Sequence, residues 1–191
     1  MIERIDHVSL AVRDIDGASR FFTDILGAVP GASAADDRLG YSWRIFSLGD
    51  LSRFEIIAPT GRQSFLENFL KGRNGGIHHI TLQTPDIAAA RRFLEEKGVP
   101  YFGYAEYGDL WKELFIHPKD AFGVLVQIAE FNADDWLAPS VRMPGTGKVS
   151  VARERDGVTL TLRHPGGGTA KAFLNAGEAR SLLEELDKAL A

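Results

Sequence analysis

Two histidines, a glutamate and a glutamine stand at matching positions in the two halves of the chain. Glu55 follows His7 at the same distance along the sequence as Gln127 follows His79. Two imidazoles, a carboxylate and an amide oxygen are a suitable ligand set for a divalent cation. A lone histidine on a strand is more often a hydrogen-bonded or surface residue. The spacing alone therefore leaves both a metal site and a structural role open.

The segments around these four residues repeat. Residues 5–10 match residues 77–82, and the match resumes without a net shift where residues 54–56 meet residues 126–128. Glu55 and Gln127 each have apolar neighbours on both sides along the chain. Alternation along the strands then predicts that all four polar residues lie on one common face. The repeat predicts two copies of one module, over residues 2–58 and 77–130.

Each copy is predicted to run strand, helix, strand, strand, strand. In the first copy residues 5–12 alternate, Asp14 can cap a helix, and Gly27 can end it. Two more alternating segments, 41–48 and 53–58, follow, with a short extra strand between the helix and the first of them. The fold class is therefore predicted to be α+β, with two paired βαβββ modules. A pseudo-twofold axis between the modules would bring both polar pairs together in one cleft.

The C-terminal part differs in composition and is predicted to be an appendage. Residues 132–148 are rich in Asn, Asp, Pro and Gly and predict a linker after a domain that spans residues 1–131. In residues 149–191 the pair Asp156-Gly157 joins two alternating segments, which indicates a hairpin. Asn175 and Glu178 form a possible capping box for a final helix. A tail of about 43 residues is too small to be stable alone, so we expect it to pack on the main body or on a second subunit.

Composition excludes several classes of protein. The chain has 191 residues, a formal net charge of -4 and no cysteine. The lack of cysteine excludes a disulfide framework, thiolate metal sites and cysteine nucleophiles. A mildly acidic balance argues against a general nucleic-acid binder. The sequence lacks an apolar run of roughly 18 residues that could span a bilayer, and residues 1–8 lack the pattern of a signal peptide. We expect a cytoplasmic protein with neither nucleic-acid nor membrane partners.

Several stretches resemble the vicinal oxygen chelate superfamily of glyoxalases, bleomycin resistance proteins and dioxygenases. They are Ile5-Asp6-His7-Val8, Gly75-Gly76-Ile77-His78-His79-Ile80, His117-Pro118-Lys119-Asp120 and Gly123-Val124-Leu125-Val126-Gln127. Within the superfamily they are most similar to methylmalonyl-CoA epimerases, over roughly residues 2–130. The resemblance implies a cleft around one divalent ion (cobalt, nickel, zinc, manganese or iron) and a homodimer. It implies that the ligands are His7, Glu55, His79 and Gln127.

The resemblance also implies an enzyme, an isomerase or lyase that acts on a small molecule such as an acyl-CoA or a thiol adduct. Removal of a proton next to a (thio)ester carbonyl would give an enolate that the metal stabilises. The resemblance to the epimerases implies two glutamates that act as bases. One is the metal ligand on the last strand, and the other lies on a central strand. This chain has Gln127 at the first of these positions and Trp43 at the second. Exchange of Glu and Gln between the modules would leave Glu55 as both ligand and base.

Three further residues have less certain roles. Glu113 is a weaker candidate for the base, and an exposed strand carboxylate is the simpler interpretation. His117 belongs to a turn before a proline, from which it can contact substrate at the rim of the cleft. His78 should point away from His79, because adjacent side chains of a strand alternate, and it is interpreted as a packed or surface residue.

Two aromatic residues and two alternative functions complete the sequence-based prediction. Tyr41 and Trp43 share one face of a strand and would form either an apolar wall for the substrate or ordinary strand packing. A glyoxalase I-type lactoylglutathione lyase would share the ligand geometry. A binding protein of the same fold that sequesters a small molecule without turnover is the third possibility. A ring-cleaving dioxygenase fits less well, because its carboxylate ligand is expected on the last strand, at Gln127.

Overall fold

The computed structural model describes residues 1–49, 51–141, 149–163 and 169–191. Contacts between residues divide the chain into two units. The first consists of Met1–Leu48 and Ser52–Pro139, and the second of Gly49–Leu51 and Ser140–Ala191. The predicted linker, residues 132–148, lies partly outside the described residues, and the predicted domain boundaries stay a prediction.

The first unit contains an eight-stranded sheet built from two modules. β1 and β5 pair antiparallel at its centre, and each is flanked by a parallel strand of its own module, β4 or β8. The strand order is β2-β3-β4-β1-β5-β8-β7-β6. The strands are β1 (Arg4–Val12), β2 (Val29–Asp36), β3 (Tyr41–Ser47), β4 (Arg53–Pro59), β5 (Gly75–Gln83), β6 (Phe102–Tyr107), β7 (Trp111–Ile116) and β8 (Val126–Glu130). The prediction of an α+β fold with two βαβββ modules is confirmed.

Aspartates begin the helix of each module. α1 (Ile15–Arg20) continues as a π-helical segment, Phe21–Ile25, and α3 spans Ile87–Glu96. The carboxylates of Asp14 and Asp86 accept hydrogen bonds from backbone N–H groups of the first turn, which satisfies donors that have no partner within the helix. Between the modules the chain forms one short helix, α2 (Leu66–Phe69).

The helices pack on one face of the sheet, and the opposite face is also sheltered. Apolar clusters form where α3 meets β7 and β8, around Leu94, Leu114 and Ile128. On β1, however, His7 and Ser9 are 3% and 0% exposed, whereas the apolar residues Val8 and Leu10, which alternate with them, are only half-buried. The sheet is curled, so its concave face is enclosed. Polar side chains of this face are therefore removed from bulk water.

Two β-bulges interrupt the ladder between β1 and β5. Ile5 pairs with Leu82 and His7 with Thr81, so Asp6 has no counterpart on β5. Ser9 pairs with His79 and Leu10 with Ile77, so His78 has no counterpart on β1. A bulge breaks the alternation of side chains locally. The prediction that His78 points away from His79 is therefore wrong, because strict alternation does not hold at these two positions.

The second unit contains a three-stranded antiparallel sheet and a helix. Its strands are β9 (Val149–Arg153), β10 (Gly157–Arg163) and β11 (Thr169–Asn175), in the order β11-β10-β9, and α4 spans Ala176–Leu190. The predicted hairpin at Asp156-Gly157 is confirmed, as is the capping box of Asn175 and Glu178. Residues 164–168, between β10 and β11, lie outside the described residues. None of the helices in the described part of the chain has the length and apolar character needed to cross a membrane.

Candidate metal centre and active site

His7, Glu55 and His79 converge on the concave face, from the neighbouring strands β1, β4 and β5. One donor atom from each lies within 4.8 Å of the others. Glu55 Oε2 is 3.8 Å from His7 Nε2 and 3.6 Å from His79 Nε2. Two atoms that each bind one ion at about 2.1 Å are at most about 4.2 Å apart. Both separations therefore fit a shared cation.

The protonation state of His79 suits a metal ligand. Burial lowers the pKa of His79 well below its usual value, and the nearby His7 and His78 lower it further. Burial also lowers the pKa of His78 to about 4. A neutral imidazole keeps the lone pair that binds a metal. The lowered pKa values favour the uncharged form of both rings, in which the lone pair of His79 Nε2 can bind a metal.

The residue before each histidine holds its ring. His7 Nδ1 lies 2.8 Å from Asp6 Oδ2, and His79 Nδ1 lies 2.9 Å from His78 Nδ1. Asp6 and His78 are the two bulge residues, and the bulges place each of them beside the ring that it holds. A partner on Nδ1 fixes the ring orientation and directs Nε2 toward the centre, as is common for metal-binding histidines. The sequence-based prediction missed both contacts.

Two hydroxyl groups hold the remaining members of the predicted ligand set. Ser9 Oγ donates to Glu55 Oε2 at 2.6 Å, and Thr81 Oγ1 donates to Gln127 Oε1 at 2.5 Å. Thr81 Oγ1 is also 2.9 Å from His7 Nε2, so it joins Gln127 to the histidine cluster. The structure thus brings all four predicted ligands together. Ser9 and Thr81 were missed, although they match in the repeat, two positions after each histidine.

Glu113 lies at this centre and is not an exposed carboxylate, so the simpler interpretation from the sequence is wrong. Its side chain is half-buried on β7, and its Oε2 accepts hydrogen bonds from Gln127 Nε2 at 2.6 Å and Trp111 Nε1 at 2.8 Å. Burial raises the pKa of Glu113, with a further contribution from the charge of Glu55, and together they outweigh the two hydrogen bonds. Its proton is therefore held more tightly than that of a solvated glutamate.

A cavity of about 470 Å³ opens over the cluster. One part of its wall is aromatic. The ring centroid of Trp136 lies 5.6 Å from that of Trp43 and 5.4 Å from that of Trp111. Its volume is within the range of small-molecule sites. Tyr41 and Trp43 lie on this wall, and their predicted role in substrate binding stays a prediction. The lining residues are Asp6, His7, Ala35, Asp36, Asp37, Tyr41, Trp43, Ile45, Arg53, Glu55, Tyr107, Leu110, Trp111, Glu113, Gln127 and Trp136.

Negative charge predominates around the cavity. The described residues that line it include five with carboxylate side chains and one arginine, Arg53. The pKa of Tyr41 is raised by burial and by the negative charges of Glu55, Glu113 and Asp36. A local excess of negative charge favours a cation, in agreement with the donor atoms on the cavity floor.

His117 lies away from the described lining of this cavity. Its ring nitrogen Nδ1 accepts a hydrogen bond from the backbone of Lys119 at 3.2 Å, at the start of a short 3-10 helix. Its ring also lies 6.2 Å from that of Phe102. The sequence placed His117 at the rim of the cleft as a possible substrate contact, whereas its side chain in the structure caps the following turn.

Asp6 connects the candidate centre to a buried ion pair. Its Oδ1 is bonded to the guanidinium of Arg53, which is 2% exposed, while its Oδ2 is bonded to His7. Burial alone would raise the pKa of Asp6, but the hydrogen bond with His7 and the charge of Arg53 lower it below its usual value. Because the folded-state pKa is depressed, this group stabilises the fold above roughly pH 4, and the effect is lost as the pH falls through the lowered pKa.

Replacement of Asp6 by asparagine is expected to weaken metal binding about 10- to 100-fold, because the ring of His7 loses its carboxylate partner. The unfolding free energy should also fall by about 1–3 kcal/mol, since the buried guanidinium of Arg53 loses one charged hydrogen-bond partner. Competition with a chelator measures the first effect and urea denaturation the second. Asp16→Asn is the matched control, because it removes an exposed partner of Arg44. Unchanged metal affinity in Asp6→Asn would contradict the orienting role.

Comparison with known proteins gives consistent results. The family model of the Glyoxalase/Bleomycin resistance protein/Dioxygenase superfamily matches residues 6–115. The ethylmalonyl-CoA/methylmalonyl-CoA epimerase of Cereibacter sphaeroides is 37% identical over 134 residues, which are 68% of this chain and 99% of that one. The mitochondrial methylmalonyl-CoA epimerase of Homo sapiens is 35% identical over 66% of this chain and 73% of its own. The crystal structure of methylmalonyl-CoA epimerase from Mycobacterium tuberculosis superimposes with a TM-score of 0.63, at 30% identity, over 69% of this chain and 89% of that one.

Proposed function

The chain belongs to the glyoxalase/bleomycin resistance protein/dioxygenase superfamily, and from this premise we propose that it is a metal-dependent epimerase of acyl-CoA thioesters. It is an enzyme of the superfamily, related to the methylmalonyl-CoA epimerases, which are isomerases. The proposed reaction removes the proton on the carbon next to the thioester carbonyl and returns a proton to that carbon. The proposed substrates are branched malonyl-CoA thioesters, the class for which the Cereibacter sphaeroides relative is named.

The position of Glu55 is the observation that carries this proposal. One of its oxygens, Oε2, accepts the Ser9 hydrogen bond and lies near both histidine Nε2 atoms. The other, Oε1, accepts no hydrogen bond within the described part of the chain. Glu55 also lines the cavity. A carboxylate with one oxygen held and the other open to the cavity is placed to take a proton from a bound substrate.

The four residues His7, Glu55, His79 and Gln127 suit a divalent ion, because they combine two imidazoles, a carboxylate and an amide oxygen. Such an ion would supply positive charge that stabilises the enolate oxygen formed when the proton leaves. The aromatic wall of Trp43, Trp111 and Trp136 would shield the acyl group from water. Exclusion of water strengthens the electrostatic interactions within the cavity.

The wild-type protein, loaded with a divalent ion, is expected to exchange the α-proton of methylmalonyl-CoA and ethylmalonyl-CoA in D₂O. Each α-carbon epimer, supplied alone, should gain deuterium at that carbon and convert to the other epimer, because the proton is removed and replaced. NMR and chiral analysis of the product measure both processes. Treatment with a chelator should abolish them, and restoring the ion should recover them.

Two other outcomes would favour the alternatives. Conversion of a hemithioacetal of glutathione and a 2-oxoaldehyde, without exchange in either acyl-CoA, would favour a glyoxalase I-type lyase. Binding of an acyl-CoA with a stoichiometry of one and no exchange would favour a sequestering protein. Either result would overturn the proposed epimerase.

A further inference from the structure

We propose that Glu113 is the second proton-transfer residue of this site and acts with Glu55 on opposite faces of the substrate carbon. The inference rests on the proposed function and assigns the residue that such a reaction needs in addition to Glu55. Inversion at a carbon requires that a proton leave from one face and return to the other. Two acid–base groups on opposite sides of the planar intermediate meet this requirement.

Strand register places Glu113 at the position in the second module that Trp43 occupies in the first. In the first module Ile45 on β3 pairs with Glu55 on β4. In the second, Phe115 on β7 pairs with Gln127 on β8. Trp43 lies two residues before Ile45, and Glu113 lies two residues before Phe115. Residues two apart share a face of a strand. Both therefore face the cavity, from opposite halves of the sheet.

The two modules thus carry their carboxylates on different strands. The first module has Glu55 on its last strand and an indole, Trp43, on the strand beside it. The second has an amide, Gln127, on its last strand and the carboxylate of Glu113 on the strand beside it. A half-turn about the axis between the modules superimposes Glu55 on Gln127 and Glu113 on Trp43. In the epimerase pattern described above, the glutamates would stand at the positions of Trp43 and Gln127. In this chain the two carboxylates stand at the symmetry-related positions instead, again one in each module.

The environment of Glu113 resembles that of Glu55. Its Oε2 is held by Trp111 and Gln127, while its Oε1 accepts no hydrogen bond from the described residues. Glu55 likewise has one oxygen held, by Ser9. Both side chains line the same cavity. Each residue therefore offers a fixed carboxylate with one oxygen available to the substrate.

The proton balance of the reaction closes with these two groups. The Glu55 carboxylate takes the α-proton, and the electron pair of the C–H bond moves into the enolate. The carboxylic acid form of Glu113 then donates a proton to the other face of the carbon and becomes a carboxylate. In the reverse direction Glu113 accepts the proton and Glu55 donates it. Exchange with water restores the starting protonation between turnovers in the same direction.

The test is isotope exchange from single α-carbon epimers of methylmalonyl-CoA in D₂O, with the metal-loaded Glu113→Gln variant. The epimer whose α-hydrogen faces Glu55 should still exchange with retention of configuration. Exchange from the other epimer, and interconversion of the two, should each fall by about 100-fold or more. The variant should keep its metal content, because glutamine can still accept the hydrogen bond from Gln127. Glu106→Gln is the control, since Glu106 is an exposed carboxylate on β6.

The result that overturns the inference is interconversion at the wild-type rate, or equal slowing of exchange from both epimers. If Glu113→Gln does not fold, Glu113→Asp decides between these outcomes. It keeps the carboxyl group and should slow exchange mainly from one epimer, whereas equal slowing from both would again oppose the inference. Failure of the proposed function is distinct, since the wild-type protein would then exchange neither epimer.

Discussion

Replacement of His79 by alanine is expected to remove the metal from the protein and to abolish proton exchange. His79 is 7% exposed, and its Nε2 is one of the three atoms that converge at the centre. Loss of a residue that only orients a ligand weakens metal binding by about 10- to 100-fold, so loss of a ligand should exceed about 100-fold. Metal analysis after dialysis against a competing chelator measures the affinity. Deuterium incorporation into methylmalonyl-CoA measures the exchange.

His117→Ala is the matched control for this variant. It also removes an imidazole, but one that caps a turn away from the described lining of the cavity. Its metal content and exchange rate should stay close to those of the wild-type protein. If His79→Ala retained a full complement of metal, or if both variants lost it equally, the assignment of the centre to His7, Glu55 and His79 would be wrong.

Replacement of Glu55 by glutamine is expected to stop exchange from the epimer whose α-hydrogen Glu55 removes. The loss should be about 100- to 10,000-fold, the usual contribution of a general base. An amide cannot accept the proton, but its oxygen can still accept the hydrogen bond from Ser9 and contact a cation. Exchange from the opposite epimer should persist, because Glu113 is the proposed base on that face. Chiral analysis and NMR in D₂O separate the two rates.

Metal content must be measured alongside the exchange rates of Glu55→Gln. Glu55 is the carboxylate among the four proposed ligands, so the variant removes negative charge from the centre, and its metal affinity should decrease. Exchange is therefore compared at saturating metal. Glu96→Gln changes an exposed carboxylate on α3 and serves as the control. If Glu55→Gln exchanged both epimers of the substrate at the wild-type rate, Glu55 would be excluded as the base.

The sequence was sufficient to predict the duplicated modules and the meeting of four polar residues. Both predictions depended on internal repetition: residues 5–10 match residues 77–82, and Glu55 matches Gln127. Once each copy forms the same strands, matching residues must lie at matching places. The pairing of β1 with β5 then brings the histidines to within reach of one ion. Repetition made this long-range contact predictable.

Contacts that depend on departures from regular geometry could not be predicted in the same way. Strict alternation directed His78 away from His79, whereas the bulge brings their Nδ1 atoms to 2.9 Å. Glu113 was expected to be exposed, because the sequence of a single strand does not show which of its two faces the curled sheet encloses. Its burial depends on curvature of the sheet and on contacts with Trp111 and Gln127. These are tertiary effects that local pattern does not encode.

The aromatic wall was predicted only in part, for a related reason. Tyr41 and Trp43 were recognised from their shared strand face. Trp136 was not, because it lies in the segment 132–148 that composition predicted to be a linker. In the structure it forms a short 3-10 turn, and its ring contacts those of Trp43 and Trp111. A residue far along the chain can complete a cavity wall without any periodic signal of its own.

The ladder between β1 and β5 has the symmetry of a dimer interface within one chain. Ile5 pairs with Leu82 and Leu10 with Ile77, so each contact has a counterpart with the modules exchanged, and each strand bulges at the same place in the repeat. Two identical polypeptides form such self-complementary pairings when they associate about a twofold axis. In a homodimer, a residue type at one position must appear on both sides of the axis. Because both halves here belong to one chain, equivalent positions can differ, with tryptophan at residue 43 and glutamate at residue 113.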